Sequence, residues 1–386
     1  MKKYISLFPI LLLLFFNHCS NDLEENITTE LNNNSDNSNS QNASTNDSFD
    51  HKEMLTNWAD KIIIPSIINF ENSLTQLQEA ANIFLNNPTT ENLLSLKEIW
   101  LGSYLKWQYV EMFDIGIAEE IYFKNRMNLY PVDIYKVENN ISNKNYNLNI
   151  SSEFSSQGFP ALDYLLFGID EDDNKITAKF SNNSLNYGGY LSEVILQMIE
   201  LTNQVKTQWE GSYRETFIES SDNTATSSIN LVVNDFIFYF EKGYRTNKFA
   251  IPAGIFSANP LPDRVEAYYG KSYSKLLSLE AGIAIEQFFN GKSYDDPSEI
   301  GLSIKQYLDY LESDVDNKLS DRINNQLKIA KDKITSLNNN FKLQIEQDNS
   351  QLLATFDAIQ KTVVMLKVEV LQKLNISVDY VDADGD

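Results

Sequence analysis

Three short segments place carboxylates among apolar side chains, and carboxylates are the main chemical resource of this chain. The first is Gly158-Phe-Pro-Ala-Leu-Asp-Tyr-Leu-Leu-Phe-Gly168, where Asp163 shares a helical face with Phe159, Leu166 and Phe167. A buried carboxylate needs a partner. The segment also reads as a well-made helix start, with Pro160 at the opening, an acid in the first turn and a glycine at the far end. The second is the stripe Trp100, Tyr104, Trp107, Glu111, Asp114, whose spacing puts all five on one face of a helix. Acids on such a stripe pair with lysine or arginine, or collect a cation. The third is Pro262-Asp-Arg-Val-Glu266, where Asp263 and Glu266 have the spacing of a capping box.

Other chemistry is nearly excluded by composition. The chain has one cysteine and two histidines, and both Cys19 and His18 lie at the N-terminal end. His51 stands at the edge of a low-complexity stretch, so the folded body is expected to hold no histidine. That removes Ser-His-Asp and Cys-His catalysis and His-ligated zinc or haem. The formal charge of −23 disfavours nucleic acid and anionic lipid as partners. Cations suit it better, although a solvated acidic surface explains the charge equally well.

The N-terminus reads as a secretory signal: Lys2 and Lys3, an apolar run from Tyr4 to Phe16, then Asn17-His18-Cys19-Ser20. A lone cysteine at the cleavage position marks a lipoprotein, with Cys19 carrying the acyl chains. Residues 1–18 are then the signal peptide. Residues 19–50, rich in Ser, Asn, Asp, Glu and Thr, are a disordered tether. Lipidation consumes the only thiol and leaves no disulfide. The product would sit in the cell envelope, held to a membrane by lipid, with the outer membrane the expected address.

Beyond residue 50 the apolar period becomes helical. Trp58, Ile62, Ile68, Leu74 and Leu77 recur at helical spacing around a kink expected at Pro65. Further helices are read at about 90–114, from Pro160, at 187–209, and near 227–243, 263–290, 297–316, 320–346 and 350–374. Alternating strand pattern is absent, save a hint at residues 376–381. The prediction is an all-α protein of two helical bundles in tandem, 51–215 and 216–386, joined near residue 215, with a polar stretch at 211–226. The closing Asp382-Ala-Asp-Gly-Asp386 resembles half a calcium loop without its distal glutamate and reads as an acidic tail.

Taken together, these segments resemble the imelysin family. Its signature is Gly-x-His-x-x-Glu, and Gly158-Phe-Pro-Ala-Leu-Asp163 is similar to it. Trp58-Ala-Asp-Lys-Ile-Ile-Ile-Pro65 is similar to the family's opening helix. Trp107-Gln-Tyr-Val-Glu-Met-Phe-Asp-Ile-Gly116 resembles its Trp…Glu-x-Phe-x-x-Gly segment, Tyr130-Pro-Val-Asp133 its Trp-Pro-x-Asp, and Pro262-Asp-Arg-Val-Glu-Ala267 its second-half Pro…Glu-Ser segment. The resemblance spans about residues 53–386. It implies two helical bundles with a site between them, and a place in iron or haem uptake among proteins of that machinery. It also implies a metal site, for which Glu111, Asp133, Asp163 and Glu266 are the candidate ligands.

The sequence departs from the family at the decisive residues. Pro160 stands where the motif has histidine, and Asp163 where it has glutamate. An all-oxygen set suits iron or another hard cation better than zinc, and a zinc-hydroxide hydrolase is disfavoured without histidine. Three readings follow. The first is a non-catalytic binding lipoprotein of iron or haem acquisition. The second is a protein-interaction module with a degenerate metal site, and the third a metallopeptidase. The first two differ in one observation: whether the four carboxylates converge without a cationic partner, or a lysine or arginine fills the space between them.

Overall fold

Asp50 opens the folded chain by accepting the backbone N–H of Glu53 at 2.9 Å, which caps the first helix. Just before it, the Phe49 ring stacks on Tyr307 at 4.6 Å. The structure is a computed structural model that describes residues 48–182, 186–222 and 224–378. The signal peptide, Cys19, residues 19–47 of the expected tether and the acidic tail lie outside the described residues. The described residues form one compact unit.

The prediction of an all-α protein holds. Every regular element among the described residues is helical, and the sole pairing of strand type is an isolated bridge between Lys292 and Ile300. Residues 376–378 carry no strand. The longer helices are α1 (Ile64–Asn86), α2 (Thr90–Trp107), α3 (Tyr187–Glu210), α4 (Ser228–Phe238), α5 (Ser274–Asn290), α6 (Leu319–Ser336) and α7 (Phe341–Val364).

The kink expected at Pro65 is instead a π turn, Trp58–Ile63, linking the helix His51–Asn57 to α1. The Ile64 N–H reaches back five residues to the Ala59 carbonyl. Pro65 has no N–H to place, so the wider turn ends where the helix would otherwise miss a donor.

Helix α2 stops at Trp107, earlier than the stripe suggests. Trp100, Tyr104 and Trp107 are buried as read, but Glu111 lies in the turn that follows and Asp114 in the irregular chain after it. The segment 263–290 also differs. Pro262–Arg264 is a single 3-10 turn, and α5 begins only at Ser274. Ala267 and Lys271 sit at φ 52° and 59°, which a right-handed helix cannot contain. The N–H groups of Tyr269 and Gly270 are taken by Asp163, so the loop is fixed by a tertiary contact. The stretch read as 297–316 narrows to Ile304–Leu311. Helix α7 starts at Phe341 and breaks at Asp348 (φ −157°), where the carboxylate accepts the Ser350 N–H at 3.1 Å. The polar stretch 211–226 holds an eight-residue helix, Ser212–Glu219, whose Phe217 packs on Trp209 at 5.0 Å.

Helices α2 and α3 pack along α1, while α5 and α7 pack on the π segment Tyr239–Ala250 that continues α4, and α6 packs on α5 and α7. One continuous apolar core runs through both sets. At its centre the Tyr104 ring stacks on Phe159, 4.2 Å apart and nearly parallel. Such a pair contributes about 0.5–1.5 kcal/mol beyond its burial. It also locks α2 against the Gly158 segment and so aims the side chains of both at one place.

Candidate functional site

Glu266 is the hub. With its helix start abolished, it turns inward and is 2% exposed. The capping-box reading of Asp263 and Glu266 therefore does not hold, because the turn that would carry it ends after three residues. Glu266 Oε2 accepts Lys248 Nζ at 2.6 Å, and Oε1 accepts Asn128 Nδ2 at 2.9 Å. Asn128 Nδ2 also reaches Glu111 Oε1 at 3.2 Å, and Asn128 Oδ1 accepts the Tyr104 hydroxyl at 2.5 Å. Gln108 closes the circuit: its Oε1 accepts Lys248 Nζ at 2.9 Å and its Nε2 reaches Glu266 at 3.5 Å.

The electrostatics follow from this geometry. Burial pushes the Glu111 carboxyl up towards its protonated form, with Lys248 opposing and Glu266 adding to the shift. The Lys248 ammonium and the Glu266 side chain form the ion pair at the centre of the cluster. Burial beside Glu266 also raises the Tyr104 and Tyr239 phenols far above their ordinary range. Glu111 Oε2 and the Tyr239 hydroxyl are buried without a hydrogen-bond partner.

Asp163 occupies the adjoining wall. Its oxygens accept the N–H groups of Tyr269 at 2.9 Å and Gly270 at 2.8 Å. The close approach needs glycine, since a Cβ on residue 270 would stand 3.1 Å from Asp163 Oδ1. Burial pushes Asp163 up to about 7 despite the two N–H donors, which pull the other way. Asp163 and Pro160 line a cavity of about 300 Å³ with Tyr130, Pro131, Tyr268 and Tyr269. Pro160 thus presents a ring to the cavity in place of a ligating side chain.

Gly158 starts this segment at φ +71° against the Met127 carbonyl. Asp133 lies elsewhere: it is half-buried and caps the helix Ile134–Asn143 by accepting the Lys136 N–H at 3.0 Å. Glu111 and Glu266 are thus brought together through Asn128, Asp163 stands beside them, and Asp133 has a local capping role. His51 belongs to the folded body after all, because Phe49 anchors the chain ahead of it. Its ring meets Tyr307 at 4.8 Å and Ser221 O at 3.2 Å, neither of them part of this cluster.

Sequence reasoning missed Gln108, Asn128 and Lys248. Gln108 follows Trp107 in a segment already singled out, whereas Lys248 lies in Arg245-Thr-Asn-Lys-Phe249, which carries no motif. Among the described residues no three His, Cys, Asp or Glu side chains gather as a metal would require. With Lys248 bonded to Glu266, the donor set as arranged does not fit a metal ion.

An all-α body with a polar cluster at its centre, built by a Gly-x-x-x-x-Asp segment and a second-half glutamate, defines the class. The Imelysin (peptidase M75) family model matches residues 64–366, and the chain belongs to that family. The fold is similar to the crystal structure of an imelysin-like protein from Psychrobacter arcticum. That match has a TM-score of 0.64 at 16% identity and covers 86% of this chain and 97% of that one. It is also similar to a protein from Parabacteroides distasonis assigned as an iron-regulated protein A precursor. Here the TM-score is 0.68 at 16% identity, over 84% of this chain and 95% of that one. In sequence, iron-regulated protein A of Synechococcus elongatus is 25% identical over 119 residues. That match spans about a third of the relative, 32% of its length and 31% of this chain.

Proposed function

We propose that this chain is a non-catalytic imelysin-family component of iron acquisition, held at the cell envelope through lipid on Cys19. Its central cluster is filled by the ammonium of Lys248. The observation that carries this reading is the Lys248–Glu266 pair, 2.6 Å apart with side chains 1% and 2% exposed. A buried ion pair of that kind satisfies the carboxylate that a cation would otherwise neutralise. The iron connection rests on the names of the relatives. The non-catalytic reading rests on chemistry: no histidine lies at the cluster, Pro160 has no side-chain ligand, and nothing there can activate water as a zinc hydroxide would.

A second reading is favoured by one observation, the orphaned Glu111 Oε2. Iron or another hard cation would then enter between Glu111, Glu266 and Asp163 and displace Lys248.

The two separate cleanly. The purified chain is incubated with Fe²⁺, Fe³⁺, Mn²⁺, Zn²⁺ or Ca²⁺, desalted, and its metal counted by plasma mass spectrometry, alongside Asp163→Ala and Lys248→Ala. The lysine-filled reading expects little metal on the wild type and more on Lys248→Ala. Near-stoichiometric metal on the wild type that Asp163→Ala loses would overturn it in favour of a metal carrier.

A further inference from the structure

The cavity beside Asp163, about 300 Å³ in volume, is built mainly of rings and alkyl groups. Tyr130, Tyr268 and Tyr269 line it together with Pro131, Pro160 and four aliphatic side chains. Apart from the tyrosine hydroxyls, its polar side chains are the carboxyls of Asp163 and Asp263. Among the described residues no lysine, arginine or histidine lines it. An apolar, aromatic wall with a few polar groups is the usual make-up of a small-molecule site.

The tyrosines are held in place. The Tyr269 ring meets Tyr164 and Tyr268 edge to face, with centroids 5.3 and 5.0 Å apart, and Asp163 accepts its backbone N–H. Tyr268 already holds a cation. Lys342 Nζ donates to its hydroxyl at 3.1 Å and lies 5.0 Å from its ring centroid, within cation–π range. Lys342 itself is not among the residues that line the cavity.

The wall narrows the choice of ligand. An anion would meet two carboxyls and no cation. A metal ion would find no oxygen on the proline and aliphatic sides, and no three acidic side chains of the described residues gather as ligands. A primary ammonium brings three N–H groups that each need an acceptor, yet both Asp163 oxygens already take backbone N–H groups. A quaternary ammonium has no N–H to satisfy. It needs aromatic faces, alkyl contact and negative charge nearby, which is how aromatic cages hold such groups. Asp263 supplies charge at the exposed edge. Its contact with Arg264 is 3.5 Å long between side chains 61% and 46% exposed, so that pair is weak.

We propose that this cavity binds a quaternary ammonium group, its methyls against Tyr130, Tyr268 and Tyr269 and its charge facing Asp163 and Asp263. The inference goes beyond the iron reading and does not rest on it, since neither Lys248 nor a metal takes part.

Calorimetric titration of the purified chain with choline at neutral pH tests it. The uncharged isostere 3,3-dimethylbutan-1-ol is titrated alongside, and Tyr268→Leu and Asp263→Asn are measured in parallel. One saturable choline site is expected in the wild type, with the isostere bound about tenfold or more weakly because it lacks the charge that the rings and carboxyls attract. Choline affinity should fall about fivefold or more in Tyr268→Leu, which keeps apolar bulk and loses a π face. It should fall about twofold in Asp263→Asn, the scale of one exposed charge. The Asp263 side chain is 61% exposed, so that variant keeps the fold whatever becomes of Tyr268→Leu. Absence of saturable heat with choline would overturn the proposal. Equal binding of the isostere would do the same, by showing an apolar pocket indifferent to charge, and undiminished choline binding in both variants would place the ligand elsewhere. Metal counting on the same protein reads the iron proposal separately.

Discussion

The Lys248 ammonium lies 2.6 Å from Glu266 Oε2, and both side chains are almost wholly buried. Lys248 comes from the π segment that continues α4, and Glu266 from the loop before α5. The pair therefore ties two parts of the second half together at the point where Gln108 and Asn128 of the first half meet them.

Removing one partner strands the other as a buried, unpaired charge. Lys248→Met and Glu266→Gln should each lower unfolding stability by about 3–5 kcal/mol. The double variant should lose less than the two single losses added together, because neither charge is then left alone. Urea unfolding of the four proteins reads the coupling directly. Strict additivity would mean that the pair contributes nothing as a pair.

Asp163 gives a pH dependence of definite sign. Its carboxyl is raised to about 7 in the folded chain against an ordinary value of 3.8. The folded state thus holds a proton that the unfolded state releases between these two values. The stabilisation is complete below about pH 4 and is lost as pH rises through about 7, amounting to roughly 4 kcal/mol for this group. Asp163→Asn should flatten that part of the stability curve, measured by thermal unfolding across the range. An unchanged curve would show that Asp163 is ionised throughout. Asp235, also raised to about 7 by burial, adds a slope of the same sign that the variant retains.

Two glycines should respond oppositely to alanine. At Gly158, φ is +71° and a Cβ would stand 2.2 Å from the Met127 carbonyl oxygen. Left-handed strain alone costs about 1–2 kcal/mol, and the clash adds to it, so Gly158→Ala should be destabilising by more than about 2 kcal/mol. At Gly102, inside α2, a Cβ meets nothing within 4 Å. Gly102→Ala should therefore stabilise, by about 0.5–1 kcal/mol. A differential scan of both variants against the wild type checks the signs.

The Cys19 proposal is tested in cells. Metabolic labelling with palmitate should mark the wild type, and Cys19→Ala should lose the label and leave the membrane fraction. Retention of Cys19→Ala on the membrane would require another anchor.

Much of the candidate site was legible one residue at a time and not as a set. Asp163 and Glu111 stood out because carboxylates among aromatic and aliphatic neighbours conflict with burial, whereas Glu266 read as half of a capping box and joined the candidates by resemblance. Asp133 was chosen by resemblance alone, and it caps its own helix. Lys248 was invisible because a lysine in a polar stretch reads as surface. Only the π segment turns it inward, and no local pattern marks which polar face a helix will bury.

The sequence by itself determined the helical class, the scarcity of thiol and imidazole chemistry, and the buried stripe Trp100, Tyr104, Trp107. These depend on composition and on apolar periodicity, which are local properties. The tertiary structure decided where helices end and which polar groups meet. Residues 265–273 stay a loop because Asp163, more than a hundred positions away, holds the N–H groups of Tyr269 and Gly270. Glu266 faces inward because Lys248, Asn128 and Gln108 are there to bond it. Such contacts join distant parts of the chain, and their strength comes from excluding water, which only the packed molecule does.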